Sequence, residues 1–225
     1  MPNPVIVNTY YVRCIGLDAC PTGWVGVEIH DELVTAHYFS HVSEIQQLGT
    51  FDVIGIDIPI GLSSIGHRDC DVEGKNLLGR RSSTLFHVPV RASLEAASPE
   101  EASVISKSIT GLGVSRQSYG LREKIFEVEG WMESTGITAF EVHPELSFHA
   151  CTGAPIPESK KTWAGMVARS TALGKVGIRL DDAPSSVGAR AQVDDMLDAG
   201  IVAWSATRIA SNTAQHVGAE FKIWF

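Results

Sequence analysis

The chain has 225 residues, 44% of them hydrophobic, which suits one domain or one domain with an insertion. Its formal net charge of -8 argues against a sequence-independent DNA coat protein, which needs a basic surface, but a metal site that concentrates carboxylates is compatible with it. No apolar run approaches the roughly 20 residues that cross a membrane, and residues 1–10 lack the basic and apolar regions of a signal peptide.

Cysteine usage indicates reduced thiols. No CxxC pair occurs, and a chain of this size does not need disulfides for stability. A zinc site is not expected for the same reason. We therefore predict a cytoplasmic protein without a membrane partner, whose free thiols are Cys14, Cys20, Cys70 and Cys151.

The first part of the chain is predicted to form strands over 12–19, 24–30 and 33–39. Short links between consecutive strands favour an antiparallel meander. A short helix over 42–48 precedes a nearly continuous apolar strand over 52–60, a pattern typical of a central strand buried on both faces. The strand-helix-strand crossover predicts that this fourth strand pairs in parallel with a neighbour.

Residues 62–120 are rich in Ser, Gly and Arg and are predicted to form an insertion of loops with one helix near 99–109. Helices and strands alternate after the insertion, which favours an α/β fold. The apolar tail at 219–225 can pack as an extra strand. The other predicted elements are a helix over 121–134, a strand over 137–143, a helix over 163–173, a polar loop over 181–188 and a helix over 191–210.

Acidic residues lie near the ends of two apolar strands, Asp18 on the first and Asp57 on the fourth. Charged groups in such strands are rarely left buried and unpaired. If the strands are parallel neighbours ~4.8 Å apart, the carboxylates converge. Hard oxygen ligands of this kind suit Mg2+ or Mn2+. The alternative is that each Asp is a turn former or cap.

The last helix supplies further acids, Asp194, Asp195 and Asp198, on one polar flank. Asp198 lies closest to the apolar stripe of that helix, so we expect it to point inward at the sheet. It is the third predicted metal ligand, and Asp195 is predicted to assist. Asp194 can instead serve only to favour the helix N-terminus.

Two further groups of residues are candidates. In the segment 141–145, Glu141 is a possible fourth catalytic carboxylate and His143 a proton shuttle, or else His143 is hydrogen-bonded inside a turn at Pro144. Four arginines are predicted to bind substrate phosphates, with internal salt bridges as the alternative; these are Arg68, Arg80, Arg81 and Arg91. Lys160 and Lys161 are predicted to be a solvated surface pair.

The sequence resembles a bacterial and archaeal family of unknown function, domain family 429, described as predicted RNase H-like nucleases. The similarity spans about residues 10–210. The motifs that carry it are GLDAC at 16–20, IDIPIGL at 56–62, RDCD at 68–71, GRRSS at 79–83, PVR at 89–91, SRQ at 115–117, EVHPE at 141–145, SKKT at 159–162 and DDMLDA at 194–199.

The resemblance implies a mixed five-stranded sheet in the order 3-2-1-4-5, flanked by helices, with the insertion after the fourth strand. It also implies acids on the first strand, the fourth strand and the last helix. We accordingly expect an RNase H-like domain over 10–213, interrupted by an insertion at about 62–120 and followed by a tail over 214–225.

The function expected from these features is hydrolysis of phosphodiester bonds in DNA or RNA by two metal ions roughly 4 Å apart. Asp18 would contact both ions, and Asp57 and Asp198 one each. Two alternatives stay open at this point. One is a non-catalytic module that binds nucleic acid or a phosphorylated ligand. The other is an actin-like phosphoryl-transfer relative, which would need a second domain and glycine-rich phosphate loops.

Overall fold

The computed structural model describes residues 12–225, so the segment 1–10, predicted to lack a signal peptide, lies outside the described residues. Within the described residues, five strands form one mixed sheet in the order β3-β2-β1-β4-β5, which confirms the predicted α/β class and strand order. The strands are β1 (Arg13–Cys20), β2 (Gly23–His30), β3 (Leu33–Phe39), β4 (Val53–Ile56) and β5 (Phe140–Glu141).

The strand directions follow from the connections. β1, β2 and β3 form the predicted antiparallel meander, and a 3-10 helix at Val42–Leu48 returns the chain so that β4 runs parallel to β1. β5 adds in parallel to β4. Both β4 and β5 are shorter than predicted. After β4, Pro59 cannot donate a ladder hydrogen bond and Gly61 has a positive φ of 85°, so the chain turns away from the sheet.

Helices flank the sheet and fill most of the insertion, which is more helical than predicted. The polar loop expected over 181–188 contains a short helix, and a helix after β5 was not predicted. The helices are α1 (Asp69–Leu78), α2 (Arg91–Leu94), α3 (Pro99–Thr110), α4 (Arg116–Gly120), α5 (Arg122–Thr135), α6 (Pro144–Thr152), α7 (Trp163–Lys175), α8 (Ser185–Gly188) and α9 (Val193–Ala210), with a 3-10 turn at Gly79–Thr84.

The two faces of the sheet are covered differently. On one face, buried side chains such as Leu17 and Ile56 pack in one core cluster with Val128 of α5. On the other face, α9 lies directly on the central strands. A Cβ atom on Gly16 would lie 2.0 Å from the backbone nitrogen of Ala203, so only glycine permits this approach.

The C-terminal segment packs as the predicted extra strand. β6 (His216–Val217) and β7 (Ile223–Trp224) form a hairpin, and Trp224 bridges in parallel to Val142 just after β5. Ile223 joins Cys70 of α1 and Leu146 of α6 in a buried cluster. The tail therefore ties the insertion to the edge of the sheet.

The structure can be compared with two expectations from the composition, one on the cysteines and one on membrane-spanning helices. The four cysteines are free thiols, as expected for reduced cysteines. In the part of the chain that the structure describes, no helix combines the length and apolarity that a membrane crossing requires.

Candidate metal centre

The sheet register brings two acids side by side. Gly16 of β1 is paired with Gly55 of β4, and the N–H of Asp57 donates to the carbonyl of Leu17 at 2.9 Å, which continues the parallel ladder. Side chains two residues apart lie on the same face of a strand. Asp18 and Asp57 therefore share the face of the two glycines, which is the face covered by α9.

Helix α9 supplies the third carboxylate. Asp198 lies in its second turn, on the side that packs against the sheet, and is 0% exposed. One carboxylate oxygen from each of Asp18, Asp57 and Asp198 lies within 4.8 Å of the others. Oδ1 of Asp198 is buried without a hydrogen-bond partner among the described residues. Such a set of hard oxygen donors fits Mg2+ or Mn2+.

Burial and mutual repulsion dominate the electrostatics of the three acids. Burial, followed by the charges of Asp57 and Asp198, raises the pKa of Asp18 well above its usual value. Burial and the charge of Asp198 raise the pKa of Asp57 to about 8. Burial also raises the pKa of Asp198, to about 6, against the opposing effect of Lys160. The charged forms of these groups therefore need a cation nearby.

Lys160 supplies part of that compensation. Its Nζ donates to Oδ2 of Asp198 and lies 3.8 Å from Oδ2 of Asp194. The neighbouring Lys161 contacts Asp194 at 2.5 Å. The prediction of a solvated lysine pair is therefore wrong for Lys160, because α9 presents its acidic first turns directly to it, whereas Lys161 is exposed as predicted.

A signal for this pairing exists in the sequence. Lys160 and Lys161 come directly before helix α7, where Thr162 is the N-cap. Two positive charges before a helix N-terminus oppose the helix dipole. Such an arrangement indicates that acidic groups face the lysines from elsewhere in the fold.

Asp195 takes part in a capping box at the start of α9. Its carboxylate accepts the backbone N–H of Gln192 at 3.0 Å, and the Gln192 side chain accepts in return from the backbone of Asp195. The side chain still borders the cavity at the metal centre. Its assisting catalytic role stays a prediction.

Glu141 and Arg68 are bound to each other. Two nitrogens of Arg68 donate to Glu141 at 2.7 and 2.8 Å, a third contact binds Asp71 at 2.6 Å, and Arg68 is 1% exposed. Glu141 also accepts the N–H of Ile60 at 2.7 Å, and Asp71 that of Val88 at 2.8 Å. The structure therefore shows an internal salt bridge for Arg68, which also borders the cavity at the metal centre, and its binding to a substrate phosphate stays a prediction. Glu141 holds together this network of hydrogen bonds next to Asp57. Its catalytic role stays a prediction.

The other three predicted phosphate-binding arginines lie on the insertion. Arg91 is paired with Glu129, and Nη2 of Arg81 lies 3.6 Å from Glu145. Arg80 is exposed. None of these three arginines, all of which lie among the described residues, borders the cavity at the metal centre, although Glu145, the partner of Arg81, interacts electrostatically with Asp57 and Asp198. Their binding to substrate stays a prediction.

His143 is held as a neutral imidazole. Its Nδ1 accepts the N–H of Leu146 at 3.4 Å as the N-cap of α6, and its Nε2 donates to the carbonyl of Thr84 at 3.4 Å. Burial lowers its pKa to about 4. This geometry agrees with the second alternative from the sequence, in which His143 is hydrogen-bonded inside a turn at Pro144.

A cavity of ≈ 350 Å³ is lined by Asp18 and Asp57, while Asp198 lies buried beside them. The carboxyl ends of β1, β4 and β5, the insertion, the start of α9 and the C-terminal hairpin form its walls, and within the described residues Arg80, Arg81 and Arg91 do not border it. The cavity therefore combines carboxylates with ammonium groups. Its charged or titratable lining includes Asp18, Asp57, His143, Lys160, Lys161 and Asp195.

A family model described as "Protein of unknown function (DUF429)" matches residues 16–222. The chain belongs to this family. No curated protein and no solved structure gives a match.

The DUF429 match covers every residue of the candidate centre, from Asp18 on β1 to Asp198 on α9, and includes Lys160 and the C-terminal hairpin up to residue 222. The family description assigns no activity. The chemistry must therefore be inferred from the geometry of the centre itself.

Proposed function

We propose that this chain is a metal-dependent phosphodiester hydrolase acting on nucleic acid, with a fold of the RNase H-like superfamily. The observation that carries the proposal is the convergence of Asp18, Asp57 and Asp198 within 4.8 Å, with Asp18 and Asp57 lining a cavity that also contains lysine side chains. The sheet order 3-2-1-4-5 supports it, since acids on the first strand, the fourth strand and the last helix are those expected for that superfamily.

The three aspartates would hold Mg2+ or Mn2+, and the bound metal would activate water and stabilise the charge on the leaving oxygen. Lys160 and Lys161 border the same cavity and offer positive charge to a phosphate. The Arg68–Glu141 pair fixes the backbone after β4, and thus the position of Asp57. The chain thereby provides a binding site for both a cation and an anion.

Cleavage of a nucleic-acid panel tests this function. Labelled single-stranded DNA, duplex DNA, RNA, RNA–DNA hybrid and branched DNA would be incubated with the full chain and Mg2+ or Mn2+. We expect cleavage of at least one substrate that EDTA abolishes. The matched control is Asp18→Asn, purified in parallel, since any cleavage that persists in this variant comes from a contaminating nuclease.

Failure of cleavage would separate the alternatives. Metal binding without turnover on any substrate would contradict the hydrolase and favour a non-catalytic module that binds nucleic acid or a phosphorylated ligand. Binding of ATP with transfer of its terminal phosphate would favour the phosphoryl-transfer alternative.

A further inference from the structure

The turn that carries Lys160 is fixed against α7. The N–H and the hydroxyl of Thr162 donate to the carbonyl of Ser159 at 2.9 and 2.8 Å, and the same hydroxyl accepts the N–H of Gly165 at 3.1 Å. A Cβ atom on Gly165 would lie 2.0 Å from the Ser159 carbonyl oxygen. The backbone on both sides of Lys160 therefore has one position relative to the helix.

A buried ion pair anchors the same turn from the protein interior. Arg169 is 0% exposed, and its Nη1 donates to the carbonyls of Glu158 and Gly165 at 3.0 and 3.1 Å. Its Nη2 donates to Glu145 at 2.5 Å. The main chain that leads into Lys160 is thus held by a guanidinium with no exposed surface. A chance contact of a mobile surface lysine would not have such support.

Lys160 balances part of the negative charge of the three candidate metal ligands. Its ammonium contacts Asp198 and is close enough to Asp18 and Asp57 to interact with both electrostatically. Asp194 has Lys161 as its nearer partner, at 2.5 Å against 3.8 Å for Lys160. Three ligand carboxylates and one ammonium leave two negative charges, the charge that one divalent ion balances. A second divalent ion would meet the ammonium at close range and be repelled by it.

We propose that Lys160 is the resident second cation of this centre, so that the protein binds one divalent ion and the ammonium takes the place of another. This inference rests on the proposed function and replaces the two-ion arrangement expected from the family resemblance. An ammonium has three N–H donors, and one of them binds Asp198. Lys160 also borders the cavity, in which a substrate phosphate would need positive charge.

Calorimetric titration with Mn2+ alone tests the proposal on the full chain. We compare the wild type with Lys160→Met, which keeps the aliphatic stem and removes the charge. The matched control is Lys161→Met, because Lys161 is adjacent but contacts Asp194 instead of a ligand. We expect one ion per wild-type chain, binding at least about tenfold tighter in Lys160→Met since a repulsive charge is gone, and unchanged stoichiometry in Lys161→Met.

The other possible results of the titration distinguish failure of the role of Lys160 from failure of the proposed function. Two ions per wild-type chain would overturn the role of Lys160 and leave the hydrolase proposal standing. Equal or weaker Mn2+ affinity in a folded Lys160→Met protein, checked by circular dichroism, would overturn it as well. If that variant does not fold, the wild-type stoichiometry decides alone. Absence of any Mn2+ binding by the wild type would instead contradict the proposed function.

Discussion

Asp18 is the most constrained of the three acids at the level of single residues. Burial and two neighbouring carboxylates all disfavour its charged form. A buried acid of this kind lowers the stability of the folded protein when no cation is bound, as is common at functional sites. Its side chain is therefore expected to contribute to metal binding at the expense of the metal-free fold.

Replacement of Asp18 by Asn tests that trade-off. The change keeps the shape and removes one charge, so the metal-free variant should melt at or above the metal-free wild type. Mg2+ or Mn2+ should raise the melting temperature of the wild type by mass action and that of the variant much less. Thermal melts with and without metal measure both effects. Strong destabilisation of the metal-free variant with intact stabilisation by metal would mean that Asp18 is structural.

Asp57 should make the metal-free protein less stable at higher pH. Its pKa is raised from 3.8 to about 8, so the folded state keeps the proton longer than the unfolded state does. The contribution of this proton to the free energy of unfolding is fully present below pH 3.8 and is lost as the pH rises towards about 8. Metal affinity should rise over the same range, because the proton must leave for the metal to bind.

The variant Asp57→Asn removes this titration together with the part of the raised pKa of Asp18 that the charge of Asp57 causes. His143 has a lowered pKa and works in the opposite direction, but it is common to both proteins. We expect the melting temperature of the variant, relative to the wild type, to rise with pH by at least about 2–4 °C, the equivalent of about 1 kcal/mol for a domain of this size. Parallel melting curves at every pH would contradict the raised pKa.

At the scale of elements, helix α9 and strand β1 fix the ligand spacing. Gly16 lets the backbone of α9 approach β1 closely. A Cβ atom built on Gly55 of β4 would lie 3.1 Å from Val202 of α9. Asp18 and Asp57 each follow one of these glycines by two residues. The distance between strand acids and Asp198 is therefore set by main-chain packing.

Gly16→Ala should disturb both stability and metal binding. The added methyl group would lie 2.0 Å from the Ala203 nitrogen, so the helix must move away from the sheet and take Asp198 with it. We expect a loss of about 1–3 kcal/mol or more and weaker Mn2+ binding, measured by urea unfolding and calorimetry. Gly130→Ala in α5 is the control, since nothing lies within 4 Å of its Cβ position and alanine favours a helix by up to about 1 kcal/mol.

The link between α1 and β5 depends on the Arg68 network. Arg68→Met would leave Glu141 and Asp71 buried without their partner, and breaking such a pair costs about 3–5 kcal/mol. Urea unfolding should show this loss. Arg80→Met, at an exposed position, should change stability by no more than about 0.5 kcal/mol. Equal effects of the two changes would contradict the structural role of Arg68.

The elements differ in how far they could be predicted from sequence. The meander and α9 have clear periodicity, and their positions and the strand order are confirmed. The repeated Gly-x-Asp pattern at 16–18 and 55–57 was a further signal, since it places both acids on a face that a helix can approach closely. Helix α6 was missed, although Pro144 at its first turn and the preceding cap by His143 are typical of a helix start.

The charged side chains were harder to predict than the backbone. Whether Arg68 binds phosphate or an internal acid depends on where Glu141, 73 residues later, is placed by the sheet. The position of Lys160 beside Asp198, 38 residues away, has the same origin. Pairings over such separations follow from tertiary packing, which local composition does not encode.

At the scale of the whole molecule, the insertion joins two buried clusters: it packs with the C-terminal hairpin and α6, and through Leu94 with the sheet. Ile223 is 1% exposed and packs with residues of α1 and α6, and its side chain also borders the cavity of the metal centre. We therefore expect the insertion, the tail and the sheet to unfold together.

Ile223→Ala tests this cooperativity. Loss of a buried isoleucine costs about 2–5 kcal/mol, and the whole protein should still unfold in one transition by circular dichroism and tryptophan fluorescence. Ile65→Ala is the control, because Ile65 is 87% exposed. Two separate transitions, of which only the earlier one shifts in Ile223→Ala, would mean that the tail and insertion form an independent unit.

The contact between α9 and the glycine pair has a consequence for how such proteins can diversify. Because main chains touch at Gly16, no core side chain stands between β1 and α9 at this point and sets their spacing. Two short strand segments and one helical turn thus form a transplantable unit. Descendants, or a protein engineer, can exchange the loops that recognise a substrate without having to retune the geometry of the three aspartates.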